Sequence, residues 1–208
     1  MVKILCFGDS ITFGLGEKPC FGWVGRLKDY IESKEGYHLV YNLGISGEFI
    51  SDINQSLEIE YGKRILPKEK GDLIIMAIGI NDSRWIGLPK ANSPQTELSD
   101  FEKDLKILIK KIKILKIPCV FIGLTPVDES KTFPFIKTTF QNNRIEKFNE
   151  ILKNNCLKNN IPFLDIFQKF SKLNYKFLLD DGLHPNSKGY QKMYDFIKKF
   201  LIEQKLIV

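Results

Sequence analysis

The chain has 208 residues, 43% of them apolar, and a formal net charge of +6. That length corresponds to about one domain and buries a sizeable core without disulfides or a structural metal. No apolar run approaches the ~18–20 residues of a membrane-spanning helix, and the lysines are interspersed with acids in helix-like segments, which reads as a solvated surface and not as a nucleic-acid face.

Apolar strand-like runs alternate with helix-like stretches along the whole chain. The spacing predicts strands over residues 2–7, 39–43, 73–78, 119–123 and 163–166. Helices are predicted over residues 21–33, 53–61, 99–115, 142–159 and 187–203. Residues 103–116 alternate Leu and Ile with Lys, as an amphipathic helix with one wet face does. Ser99 and Glu102 have the spacing of a capping box at that helix's start, and Pro118 and Pro162 lie just past two predicted helix ends. Alternating β and α elements predict a single α/β domain, a parallel sheet covered by helices on both faces. Two segments, 84–96 and 126–139, follow predicted strands and resist a regular reading. In open α/β sheets the ligand crevice lies at the carboxyl edge of the strands, so both are candidate walls of a substrate site.

The four cysteines, Cys6, Cys20, Cys119 and Cys156, show no C-x-x-C spacing and are expected to be buried, reduced thiols. No metal site is expected, because His and Cys are not clustered. Residues 1–5 run straight into Gly8 without the apolar core of a signal peptide. The expectation is a cytoplasmic protein with no stable membrane insertion.

Four short motifs carry the chemistry. Ser10 lies in Gly8-Asp9-Ser10, directly after the first predicted strand. A serine hydroxyl needs a base to take its proton and donors to hold the oxyanion that forms. His184 is one of two histidines, and Asp181 precedes it by three residues, close enough to bond one imidazole nitrogen and leave the other for the serine. Asp180 is the rival acid. His38 leads into a strand without an acidic partner. The run Asn42-Leu43-Gly44-Ile45-Ser46-Gly47 follows the second strand, where a glycine lets backbone N–H approach a ligand. Gly79-Ile80-Asn81-Asp82 follows the third, where Asn81 offers side-chain donors. Each motif alone also reads as an ordinary turn. The loops 84–96 and 126–139 contribute Trp85, Ile86, Leu88, Phe133, Phe135 and Ile136 beside Arg84, Lys131 and Lys137. Asp9, Trp85 and Phe133 are the candidate substrate contacts. Neither G-x-x-x-x-G-K-[ST] nor G-x-G-x-x-G occurs, which argues against a phosphate-cradling binding module.

In this order the four motifs resemble the blocks of the SGNH-hydrolase superfamily, the GDSL esterases and lipases. The resemblance runs from residue 8 to residue 184 and places the four named residues at Ser10, Gly44, Asn81 and His184. It implies a flavodoxin-like three-layer α/β/α sandwich with a five-stranded parallel sheet of order 2-1-3-4-5, no metal and no cofactor. It further implies Ser10 as nucleophile, His184 as base and Asp181 as its orienting acid. The oxyanion hole would be made by Ser10, Gly44 and Asn81. The substrate would be a small-molecule carboxylic ester or thioester. The aromatic and aliphatic loop residues favour an acyl or aromatic ester over a bare sugar, while sugar O-deacetylation, lysophospholipase and thioesterase chemistry use the same triad.

Overall fold

The computed structural model describes residues 2–87 and 93–207. In chain order the elements are β1 (Val2–Gly8), α1 (Ser10–Phe13), α2 (Gly22–Glu32), β2 (His38–Gly44), α3 (Ile50–Arg64), β3 (Leu73–Ala77), β4 (Trp85–Ile86), β5 (Ser93–Pro94) and α4 (Leu98–Leu115). They continue with β6 (Cys119–Ile122), α5 (Glu129–Thr132), β7 (Thr138–Thr139), α6 (Asn142–Lys158), β8 (Phe163–Leu164), α7 (Ile166–Ser171), a 3-10 turn (Tyr175–Leu178) and α8 (Ser187–Glu203).

The five apolar runs pair as one parallel sheet in the order β2-β1-β3-β6-β8. With the two-residue strands set aside, this is the expected order 2-1-3-4-5. Successive side chains of a strand point to opposite faces, yet Ile4, Leu5, Cys6 and Phe7 of β1 are all buried, so both faces of the sheet are covered. Helices α2 and α8 pack together on one side, and α3, α4 and α6 pack in succession on the other. The helix read from the Lys/Ile alternation buries Phe101, Leu105, Leu108, Ile109 and Ile112 and leaves Ile114 exposed. It ends at Lys116 in the left-handed conformation (φ 50°), two residues before Pro118.

The structure differs from the sequence reading in three places. Helix α4 starts at Leu98 with Glu97 at its cap position, so Ser99 lies inside the first turn and caps nothing. Glu102, the other half of the expected capping box, instead pairs with Lys106 and accepts from Asn155. The two irregular loops are joined to one another: Trp85 pairs with Pro94 and Thr139, and Ile86 with Ser93 and Thr138, as a small antiparallel sheet β5-β4-β7. Strands of two residues carry no readable period, and their pairing is long-range. Leu88 lies outside the described residues. Finally, Cys6, Cys119 and Cys156 are buried free thiols but Cys20 is exposed; burial pushes the Cys156 thiol up to about 12.

The α4–α6 contact is centred on Phe101 and Phe148, whose ring centroids stand 4.7 Å apart. Both side chains are fully buried. Replacing Phe148 by Ala should cost about 3–5 kcal/mol through lost burial and an unfilled cavity. Ile114→Ala, on the wet face of α4, should cost less than about 1 kcal/mol. Urea unfolding of the two variants checks the difference, and equal losses would contradict the packing described.

Candidate active site

Strand β1 ends at Gly8, and the chain turns at once into α1. The Asp9 carboxylate accepts from Ile11 N–H at 2.9 Å and caps that helix. This sets Ser10 on the first turn, at the carboxyl edge of the sheet. Ser10 Oγ lies 2.9 Å from His184 Nε2, although 174 residues separate them. His184 Nδ1 lies 2.6 Å from Asp181 Oδ2. The other carboxylate oxygen of Asp181 accepts from Leu183 and His184 N–H at 2.9 and 2.7 Å. The loop before α8 is therefore wound around the Asp181 side chain. Burial alone would push the Asp181 carboxyl up, but the ring and backbone hydrogen bonds outweigh it and hold the group at about 2. An ionised Asp181 is an acceptor for Nδ1–H, the tautomer in which Nε2 presents its lone pair to Ser10 Oγ.

Asp180 turns the other way, accepting from Asn186 Nδ2 at 2.7 Å, so Asp181 is the acid that faces the histidine. His38 lies at the start of β2, the opposite edge of the sheet, with Nε2 3.0 Å from the Glu35 carbonyl.

A cleft of about 650 Å³ contains Ser10, Asn81 and His184 together with Leu15, Gly47, Arg84 and Phe135. Asn81 is buried, and its Nδ2 donates one hydrogen to Glu48 O at 3.1 Å. The other amide hydrogen has no partner among the described residues. Ile80 is buried in the core beneath the cleft.

Four sequence expectations are corrected. Gly44 does not line the cleft, and its N–H is taken by Asn42 Oδ1 at 3.0 Å. Its lack of a side chain serves packing: a Cβ there would stand 2.3 Å from Phe13 N. Three residues on, Gly47 lines the cleft at φ 86°, in open space, and its N–H has no partner among the described residues. The run 42–47 holds two glycines, and the conformation that separates them is set by the turn after β2. Asp9 contacts no substrate space; it is buried and spent on capping α1. Trp85 faces Arg144, whose guanidinium carbon lies 4.4 Å from its ring, and it does not line the cleft. Phe133 is exposed and does not line the cleft, and the same loop instead presents Phe135, Ile136 and Phe140.

Arg144 went unnoticed in the sequence. It is buried, and its Nε and Nη2 donate to the Ser83 and Thr96 carbonyls at 2.8 and 2.6 Å. It ties α6 to the turn that carries Asn81 and to the base of the β4–β5 excursion. An arginine in a helix-like run has no signal that sets it apart from surface cations. The Asp181–His184 turn is braced similarly: Asp128 N–H donates to Gly182 O at 2.8 Å, and Lys131 Nζ donates to Asp180 O at 3.1 Å.

Among the described residues no group of three or more His, Cys, Asp or Glu is arranged to hold a metal ion, and no helix is long and apolar enough to cross a membrane. The doubly wound sheet thus brings a serine, a histidine and an acid together at its carboxyl edge, beside a side-chain amide, in one cleft. The family model described as the GDSL-like Lipase/Acylhydrolase family matches residues 6–192, and the chain belongs to that family. A multidomain esterase of Ruminococcus flavefaciens is 24% identical over 235 aligned residues, covering 98% of this chain and 28% of that protein. The chain thus spans little more than a quarter of that relative. The crystal structure of a lipase/acylhydrolase from Enterococcus faecalis superposes with a TM-score of 0.73 at 21% identity, covering 98% of this chain and 97% of the other. That of Axe2, an acetylxylan esterase from Geobacillus stearothermophilus, gives 0.69 at 21% identity, with 96% and 93% covered. These two likenesses concern the fold.

Three carboxyls lie buried around the site. Asp9, Glu48 and Asp82 are each pushed up to about 7, chiefly by burial. A carboxyl whose folded pKa exceeds its unfolded value binds more protons when folded. Its stabilising contribution is complete below the unfolded value and is lost as pH rises through the folded one. For Asp82 that window runs from 3.8 to about 7. Asp82→Asn keeps an acceptor for the Ile50 N–H that Asp82 now binds. The decline in urea stability between these pH values should be shallower in Asp82→Asn than in the parent; parallel declines would contradict the assignment.

Proposed function

We propose that the chain hydrolyses a carboxylic ester through an acyl-enzyme on Ser10. The observation that carries this reading is the relay of Ser10 Oγ to His184 Nε2 at 2.9 Å and His184 Nδ1 to Asp181 Oδ2 at 2.6 Å. Ser10 Oγ attacks the ester carbonyl as His184 Nε2 takes its proton. Asp181 holds the imidazole in the tautomer with Nδ1 protonated and stabilises the imidazolium. The tetrahedral oxyanion is held by the N–H groups of Ser10 and Gly47 and by Asn81 Nδ2. The imidazolium returns its proton to the leaving alcohol oxygen. A water then enters and attacks the acyl carbonyl as His184 takes one of its protons, and His184 returns that proton to Ser10 Oγ as the acid leaves.

The substrate is read as a small-molecule ester, in keeping with an open cleft walled by Leu15, Phe135 and Ile136. Esters of a plain alcohol, of a thiol and of a sugar use the same residues. A panel of p-nitrophenyl esters of rising chain length beside acetylated xylan and an acyl thioester separates them.

Ser10→Ala should abolish turnover of p-nitrophenyl acetate with the circular dichroism of the fold retained. Near-normal rates would remove Ser10 from the mechanism. Asn81→Ala should lower kcat by roughly 10²–10³, the loss expected for one oxyanion donor. Asp181→Asn should reduce kcat far more than Asp180→Asn; the reverse order would exchange their roles.

A further inference from the structure

Arg84 makes no ion pair among the described residues, though Asp82 acts on its charge from a distance. The chain has four arginines. Arg26 pairs with Glu17 and Arg64 with Glu60, and Arg144 is consumed by two carbonyls and two aromatic faces. The half-buried Arg84 lines the cleft that holds Ser10 and His184. Among the described residues no carboxylate comes within ion-pair distance of it.

The guanidinium is nevertheless held in place. Its Nε and Nη2 both donate to Gln95 Oε1, at 3.2 and 3.1 Å. The Gln95 N–H returns a bond to Arg84 O at 3.0 Å. Its central carbon stands 5.1 Å from the ring centre of Phe49. This fixes the plane and leaves the Nη1 donors engaged by nothing among the described residues. Burial works against the charge and Asp82 pulls in its favour, with the net effect a lowered pKa. Of the acids around the site, Asp181 is bonded to His184, Asp9 to Ile11 N–H and Asp82 to Ile50 N–H; Glu48, whose Oε2 is buried without a hydrogen-bond partner, lies beyond ion-pair distance of Arg84. The exposed Lys137 lines the same cleft.

A fixed, partly desolvated guanidinium with outward donors matches the paired oxygens of a carboxylate or phosphate. From this geometry we infer that Arg84 recognises an anionic oxyacid group, phosphate or carboxylate, carried by the ester substrate, with Lys137 adding a second positive charge at the rim. The inference rests on Ser10 being the nucleophile of an ester hydrolase.

Matched pairs of esters test it. Mono-p-nitrophenyl succinate against p-nitrophenyl butyrate places a carboxylate on the acyl side. Monoacetylglycerol 3-phosphate against monoacetylglycerol places a phosphate on the alcohol side. The parent protein should favour the anionic member of at least one pair by about tenfold in kcat/KM, expressed in KM, as a charge-assisted hydrogen bond would give. The pair that responds identifies the group and its side of the ester. Arg84→Gln should lower that preference about tenfold and Arg84→Lys should restore part of it. Raising salt from about 50 to about 500 mM should weaken the preference of the parent. Because the readout is a ratio, a general folding defect in a variant cancels. Turnover of the neutral esters with no preference for either anionic partner overturns this inference alone, as does a ratio that Arg84→Gln leaves unmoved. Turnover of no ester by the parent overturns the Ser10 reading as well.

Discussion

The pairing of β1 on both sides is the constraint on which the site depends. Strand β1 is in register with β2 along its whole length, from Val2 opposite His38 to Gly8 opposite Gly44, and with β3 from Ile4 opposite Leu73 to Gly8 opposite Ala77. The chain leaves β1 for β2 on one side, then crosses back to β3 on the other. The loops at the carboxyl ends of β1 and β3 therefore diverge, and a crevice opens between them. Ser10, Gly47 and Asn81 stand on the three loops at this edge because their strands end level with one another. No side-chain interaction chose that arrangement; parallel pairing and the direction of the crossovers did.

The remaining component comes from the far end of the chain. Helix α8 packs on α2, and its N-cap Asn186 accepts from Gly189 N–H at 3.0 Å, so the preceding turn is fixed against the β1 side of the sheet. Asp181 accepts two backbone N–H groups as well as the imidazole. The acid thus builds the turn that presents its own histidine. The cost of this crowding is carried by Asp9, Glu48 and Asp82, three carboxyls confined where burial disfavours their charge. Glu48 Oε2 is buried without a hydrogen-bond partner, which marks the loop carrying Gly47 as one where fold stability is spent on holding the site's shape.

The walls of the cleft are a second level of organisation. Segments 84–87, 93–96 and 126–139 lie on separate loops, yet β5-β4-β7 joins them into one unit, and Arg144 anchors that unit to α6 through Ser83 and Thr96. Arg84 and Lys137 of this wall line the cleft beside Ser10 and His184 without bonding to either. In the proposed reading, chemistry and selectivity belong to different parts of the chain: strand-end turns for the first, the paired loops for the second.

Much of this was legible in the residues themselves. Near-continuous apolar runs mark strands buried on both faces, the Ser10 and Asn81 motifs lie just past such strands, and the Asp181–His184 motif lies just before the strongly periodic last helix. The residues alone were enough for the fold class, for the strand order through the resemblance of the motifs, and for naming Ser10, His184 and Asp181 as the groups that the fold then brings into contact. These depend on local patterns and on residue chemistry, which a linear chain displays. Only the tertiary structure decided between Gly44 and Gly47, because a positive φ and a free N–H distinguish them and composition does not. It also withdrew Asp9, Trp85 and Phe133 from the cleft and assigned them to a helix cap, a cation face and the outer surface. Their side chains point where the packing of distant segments sends them, and that direction is a property of the folded chain alone.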